Sequence, residues 1–163
     1  MNPRFRLSLE PLTAEAFAPF GEVIGIEASA ERFAINAGTT ERLHALARVA
    51  HDGGQAVISI GIAQSRRLPF ALELIERHPL GSQAFVPLDG RPYIVVVAST
   101  PADRPRAFLA ANAEGVNFRA GTWHHPLIAL ADHSRFLIID REGTGDNCEE
   151  VRCTEPWWID AAS

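Results

Sequence analysis

An all-β fold is predicted by three features of the sequence. Short apolar stretches recur along the chain with turn residues between them. Several of these stretches alternate with a period of two, as half-buried strands do. Few segments are long enough for helices. Short strands spaced by turns argue for a sandwich or barrel with a few brief helices. The chain has 163 residues, and one domain spanning 1–163 is expected. A chain of that length buries roughly 70% of its unfolded surface, enough to fill a small barrel.

Two brief helices are expected first. One is "TAEAFAPF" (13–20), with Thr13 as its cap. The other is "TTERLHALARVA" (39–50), where Leu43, Leu46 and Ala47 form an i, i+3, i+4 apolar set. Strands follow. "QAVISIGIAQ" (55–64) comes after Gly53-Gly54 and puts Ala56, Ile58, Ile60 and Ile62 on one face. "FALELIERH" (70–78) comes after Pro69 and alternates too. "YIVVVAS" (93–99) is apolar on both faces, as a buried strand is. "GVNFRAG", "PLIALA" and "RFLIIDR" continue the series.

Composition narrows the function. Apolar residues make up 47% and charged residues 21%, as in a globular protein. No apolar run reaches the roughly 20 residues that span a bilayer, and "MNPRFRLSLEPLTAEAF" carries no export-type apolar region. The expected location is the cytoplasm, with no membrane partner. The net charge of −5 and the scattered arginines argue against nucleic acid. All fifteen basic residues are Arg. Without lysine, a side-chain Schiff base with a carbonyl substrate is excluded. Cys148 and Cys153 have C-x4-C spacing, which is not a zinc signature, and a cytoplasmic pair is expected to be reduced.

The chemistry gathers in two places. In 70–78, Phe70, Leu72, Leu74, Glu76 and His78 share one strand face, and Ala71, Glu73, Ile75 and Arg77 the other. The first face is the more apolar and is expected to line the core. Glu76 and His78 then end an apolar stripe, either reaching solvent at the strand end or pointing inward. A buried carboxylate without partners costs several kcal/mol. Inward placement would call for a metal, a substrate, or pairing of the two with each other. The second place is "GTWHHPLIAL" (121–130). Adjacent strand residues face opposite ways, so one of His124 and His125 is expected inside and the other outside. Pro126 holds His125 extended.

Glu76-x-His78-x4-Gln83-x6-Gly90 has the spacing of the first motif of the cupin barrels, with Glu where the first His would be and Gln where the Glu would be. "RAGTWH" (119–124) fits the second motif with Arg119 in place of proline, and puts His124 at the ligand position. The longer strings "LIERHPLGSQAFVPL", "GVNFRAGTWHHPLIAL" and "DREGTGDNCEE", with "PFGEVI" and "INAGTTERLHAL" near the amino terminus, strongly resemble the ureidoglycolate lyase family. The resemblance runs from about residue 5 to residue 150. Ile35 and Cys148 depart from the family pattern away from the site positions.

The resemblance implies a cupin-type double-stranded β-helix barrel and cleavage of ureidoglycolate to glyoxylate and urea in allantoin breakdown. It also implies a homodimer and a divalent metal, nickel in particular, with no organic cofactor. The residues expected to act are Glu76, His78, Gln83 and His124, which would also ligate any metal. In that reading a histidine is the base and Glu76, with its pKa raised by burial, is the acid. Gln83 is either a weak metal ligand or a hydrogen-bond donor. Arg119, with Arg48 or Arg66, is expected to meet the substrate carboxylate, and Asn36 and Asn117 its ureido group. Two other readings remain: an amidohydrolase releasing ammonia from the same substrate, and a cupin module that binds a small acid without catalysis.

Overall fold

The structure is a computed structural model, and it describes residues 5–28 and 30–161. Residues 1–4, at the start of the amino-terminal stretch read for an export signal, lie outside the described part. In chain order the elements are β1 (Arg6–Leu7), β2 (Leu9–Pro11), α1 (Ala14–Phe17), β3 (Gly21–Ile24), β4 (Glu31–Ile35), β5 (Thr40–His44), β6 (Gln55–Ala63) and β7 (Phe70–Arg77). They continue with β8 (Gln83–Pro87), β9 (Tyr93–Ala98), β10 (Arg106–Ala110), β11 (Gly115–Phe118), β12 (Trp123–His124), β13 (Ile128–Ala129), β14 (Ser134–Glu142) and β15 (Glu149–Ile159).

Two sheets wrap around one core. The larger runs β1-β15-β7-β12-β9-β10-β2, with β13 also on β9, and the smaller runs β3-β11-β8-β14-β6. Tyr93, Val95, Val97 and Phe108 of the first sheet meet Val116, Phe118 and Phe136 of the second in the space between them. Together the sheets form a nearly closed, all-β cupin-type barrel. β9 is buried on both faces, as its unbroken apolar run predicts. Ile94, Val96 and Ala98 point the other way into an outer layer with Ile75, Trp123 and Ile159. The predicted first helix forms, and the Thr13 hydroxyl accepts from the Ala16 amide. A cap of this kind contributes about 1 kcal/mol.

Two sequence expectations are corrected. The helix expected over 39–50 is absent. Thr40–His44 is a strand paired with Glu31–Ile35 in a two-stranded ribbon. The tight turn at Asn36, Ala37 and Gly38, all at positive φ, reverses the chain there, and cross-strand pairing overrides the weak helical period. The alternation of β7 is broken as well. Leu72 and Ile75, three residues apart, both sit in the outer layer, and Phe70 packs against it. Opposite them β15 is irregular: Leu74 pairs with Arg152 but Leu72 with Trp157. Such an insertion bends a strand and turns its side chains. Only the carboxyl-terminal part of β7 keeps the inward face predicted for it. The shared isoleucine face of β6, whose direction the alternation left open, points out of the barrel, with Ile58 71%, Ile60 64% and Ile62 65% exposed.

Candidate active site

Glu76 and His124 are direct partners across the antiparallel pair β7–β12. His78 follows two residues after Glu76. Gly121, at φ +80, donates its amide to the His78 carbonyl at 2.9 Å, closing the turn that delivers His124 to the same place. His124 is 2% exposed, and its ring stacks on Phe118 at 4.2 Å between centroids. Its inward direction agrees with the motif spacing. His125 instead meets the edge of Phe70 at 5.4 Å, and burial pushes its pKa down.

Glu76 Oε1 lies 3.7 Å from His78 Nε2 and 3.6 Å from His124 Nε2. Both separations are too long for a hydrogen bond. Each histidine is held from behind: His78 Nδ1 faces the Asn147 carbonyl at 2.7 Å, and His124 Nδ1 faces the Thr122 carbonyl at 2.9 Å. A carbonyl only accepts, so each Nδ1 carries a proton and, in the neutral rings, each Nε2 is a lone pair. Two lone pairs therefore converge on a carboxylate oxygen, and neither Nε2 has a hydrogen-bond partner. Convergent acceptors require a shared proton or a cation. The imidazoles of His124, and then His78, hold the Glu76 carboxyl well below the usual carboxylate range despite its burial. Reciprocally, the Glu76 carboxylate raises the His78 pKa, and the Asn147 carbonyl and the Asp140 charge add to the rise.

The expectation of a raised Glu76 pKa is thus corrected, because the close polar approach of the His124 ring, and then of the His78 ring, outweighs desolvation, with their charge a smaller contribution. The Glu76, His78 and His124 ligand atoms all lie within 4.8 Å of one another, so the three could hold a metal ion. Nδ1 atoms anchored on carbonyls with Nε2 aimed inward are the usual second-sphere arrangement of metal-binding histidines. The donor set fits.

Gln83 belongs to the same interior. It pairs with Phe118 on β11, and its Nε2 donates to Asp140 Oδ2 at 3.2 Å. The proposed substrate-binding residues are not brought here. Arg119 is exposed, and its guanidinium donates to the Ala18 and Pro19 carbonyls. Asn117 is buried on the opposite face of β11, where its amide donates to Glu22 and to the Arg48 carbonyl. That amide pins the 45–50 segment over the sheet and leaves the exposed Arg48 side chain outside. Asn36 lies on the exposed 31–44 ribbon and donates to Thr40. Arg66 sits over Phe70 at 5.8 Å. The Thr122 hydroxyl donates to the Phe20 carbonyl.

One neighbour of the site, Asp140, was not singled out from the sequence, and a second, Cys148, was expected away from the site positions, which the structure corrects. Asp140 was recoverable: in "SRFLIID" the face Ser134, Phe136, Ile138, Asp140 is another stripe ending in a carboxylate, as in 70–78. Cys148, 3.9 Å from Glu76 Oε2, had no local signal, since the turn before β15 alone brings it there. Cys148 and Cys153 are both free.

A cupin-type barrel with two histidines and a carboxylate converging inside it defines the class: a cupin whose interior cluster could hold a metal ion. The particular family is shown by likeness along almost the whole chain. Residues 4–160 match the family described as ureidoglycolate lyase, and the chain belongs to that family. It is 51% identical to a ureidoglycolate lyase of Burkholderia mallei over 158 residues, 94% of this chain and 92% of the relative. With one of Azotobacter vinelandii it shares 51% over 151 residues, 88% of this chain and 90% of the relative. With one of Brucella melitensis it shares 55% over 150 residues, 88% of each chain.

Proposed function

We propose that the protein is a ureidoglycolate lyase, cleaving ureidoglycolate to glyoxylate and urea, and that Glu76, His78 and His124 carry the reaction. The observation behind this reading is the pair of Nε2 atoms aimed at one carboxylate oxygen. The substrate carbon bears a hydroxyl, a carboxylate and a urea nitrogen. His124 Nε2 takes the hydroxyl proton, the C–O bond becomes the glyoxylate carbonyl, and the C–N bond breaks with its electron pair on nitrogen. His78, whose raised pKa favours the imidazolium, gives its Nε2 proton to that nitrogen and releases urea. The two rings end with exchanged protonation, and Glu76 Oε1, which neighbours both, stabilises whichever is charged. Positioned acid and base groups supply about 10²–10⁴-fold each.

The unpartnered Nε2 atoms support a second, exclusive reading in which Glu76, His78 and His124 hold a divalent cation, since an Nε2 that ligates a metal no longer exchanges a proton with the substrate. Nickel suits mixed imidazole and carboxylate donors. When bound, the ion supplies Lewis-acid polarisation of the substrate hydroxyl and positive charge for its carboxylate. Since Arg119, Arg48 and Arg66 are directed elsewhere, positive charge for the substrate carboxylate comes from the cluster itself.

The reading includes a cytoplasmic homodimer. Free cysteines suit a reducing compartment. The contiguous stripe Ile58, Ile60, Ile62 on an edge strand is the kind of surface that a second copy covers. Incubation with ureidoglycolate, with and without chelator, tests the activity. Urea and glyoxylate in equal amounts are expected. Ammonia would assign an amidohydrolase, and no product a binding module.

A further inference from the structure

We infer that Asp140 is a positioning residue that fixes the Gln83 amide so that Gln83 meets the substrate as a hydrogen-bond acceptor, through Oε1, for a ureido N–H. The inference rests on the lyase reading for the identity of that N–H group, and on geometry for the rest.

A glutamine amide can present either end, and a carboxylate can only accept. With Asp140 Oδ2 3.2 Å from Gln83 Nε2, the amide must turn its nitrogen towards β14. Its carbonyl oxygen is then left on the far side. Gln83 lies between two strands: β14, carrying Asp140, on one side and β11, carrying Phe118, on the other. Phe118 stacks on His124. The free carbonyl is thereby directed to the side of the barrel where His124 stands.

Asp140 is suited to this task. It follows Ile139, the partner of Ala84, and so continues the β14–β8 register to Gln83. Its hydrogen bond with Gln83, the cross-strand neighbour of Phe118, sets the carboxylate beside the same pocket of side chains. Urea offers several N–H donors and one acceptor. An acceptor held towards His124 would grip the leaving half of the substrate while the histidines work on the carbon. Asn36 and Asn117, the other amides with a claim on that group, lie away from this pocket, on the exposed 31–44 ribbon and on the opposite face of β11 beside Glu22 and the Arg48 carbonyl.

A charge-and-amide swap tests the idea. Asp140→Asn no longer dictates which end of Gln83 faces inward, and KM for ureidoglycolate is expected to rise about 10-fold, the scale of one hydrogen bond, with kcat changing much less. Gln83→Glu keeps an acceptor but sets two carboxylates together, and is expected to be impaired as well. The double variant Gln83→Glu/Asp140→Asn restores a donor on 140 facing an acceptor on 83 and still leaves a carboxylate oxygen inward, so KM should recover to within about 3-fold of the parent. Recovery supports an acceptor at 83. A double variant no better than the worse single one, with all variants folded by thermal melt, overturns it.

Solvent exchange of the Gln83 side-chain amide protons, read by NMR in the substrate-free protein, gives a measurement independent of activity. Slower exchange in the parent than in Asp140→Ala is expected, and equal exchange overturns the clamp. Should the parent release no urea while the amide is protected, the lyase reading fails and the clamp stands.

Discussion

Glu76 and His124 stand directly opposite each other on neighbouring antiparallel strands, with Oε1 and Nε2 3.6 Å apart. A cross-strand pair of this kind is set by backbone register, so both groups are in place before any ligand arrives. Preorganisation of this kind lets a small barrel hold a carboxylate and two imidazoles at reacting distance.

His124→Ala is expected to lose at least ~100-fold in kcat, the low end of what an acid–base group supplies. His125→Ala should keep most activity and lose stability, because His125 contributes an edge contact to Phe70 rather than a group inside the barrel. Steady-state kinetics and thermal melts of both variants check this. A dead His125→Ala beside an active His124→Ala would reverse the assignment.

Arg119→Ala should leave KM for the anionic substrate within about 3-fold of the parent, since its guanidinium is engaged by the Ala18 and Pro19 carbonyls and exposed contacts contribute little. A tenfold rise in KM would return the carboxylate-binding role to Arg119.

Stability of the chelator-treated protein should carry a signature of the Glu76 cluster. The Glu76 pKa is lowered from 4.5, so its contribution is present above that pH and is lost as pH falls through the folded value. The His78 pKa is raised from 6.5, so its share is present below that pH and is lost as pH rises through the folded value. Both describe one interaction. The Tm gap between the parent and Glu76→Gln should therefore be widest between pH 4.5 and pH 6.5 and narrow on either side. A gap independent of pH would mean that the cluster is not charged as described.

Ile60→Glu places a charge in the middle of the exposed β6 stripe and should convert a dimer into a monomer with the barrel intact. Light scattering and melting curves decide it. An unchanged dimer would move the interface to another face.

Period-two alternation, turn residues and the doubly apolar 93–99 run made the all-β barrel legible, because strand faces are a local property of the chain. The shared direction of Glu76 and His78, and the inward direction of His124 rather than His125, were legible for the same reason: within a few residues of a strand, sequence distance translates into direction. The 39–50 segment was not, since its weak helical period lost to pairing with 31–35, a contact local sequence does not encode. Direction also failed where a partner strand intervened. The irregular pairing with β15 turned Leu72 outward, and the outer face of β11 took Asn117 away from the site.

The positions of the arginines and asparagines expected to meet the substrate were the least legible, because a polar side chain is committed by whichever carbonyl or carboxylate the fold brings beside it. Only the tertiary structure supplied those partners, and with them the lowered Glu76 pKa and the Asp140 carboxylate against Gln83. The residue types and spacing of this site are written along two short strands. Its electrostatics arise from five strands meeting in a barrel, where separations of tens of residues become separations of a few ångströms.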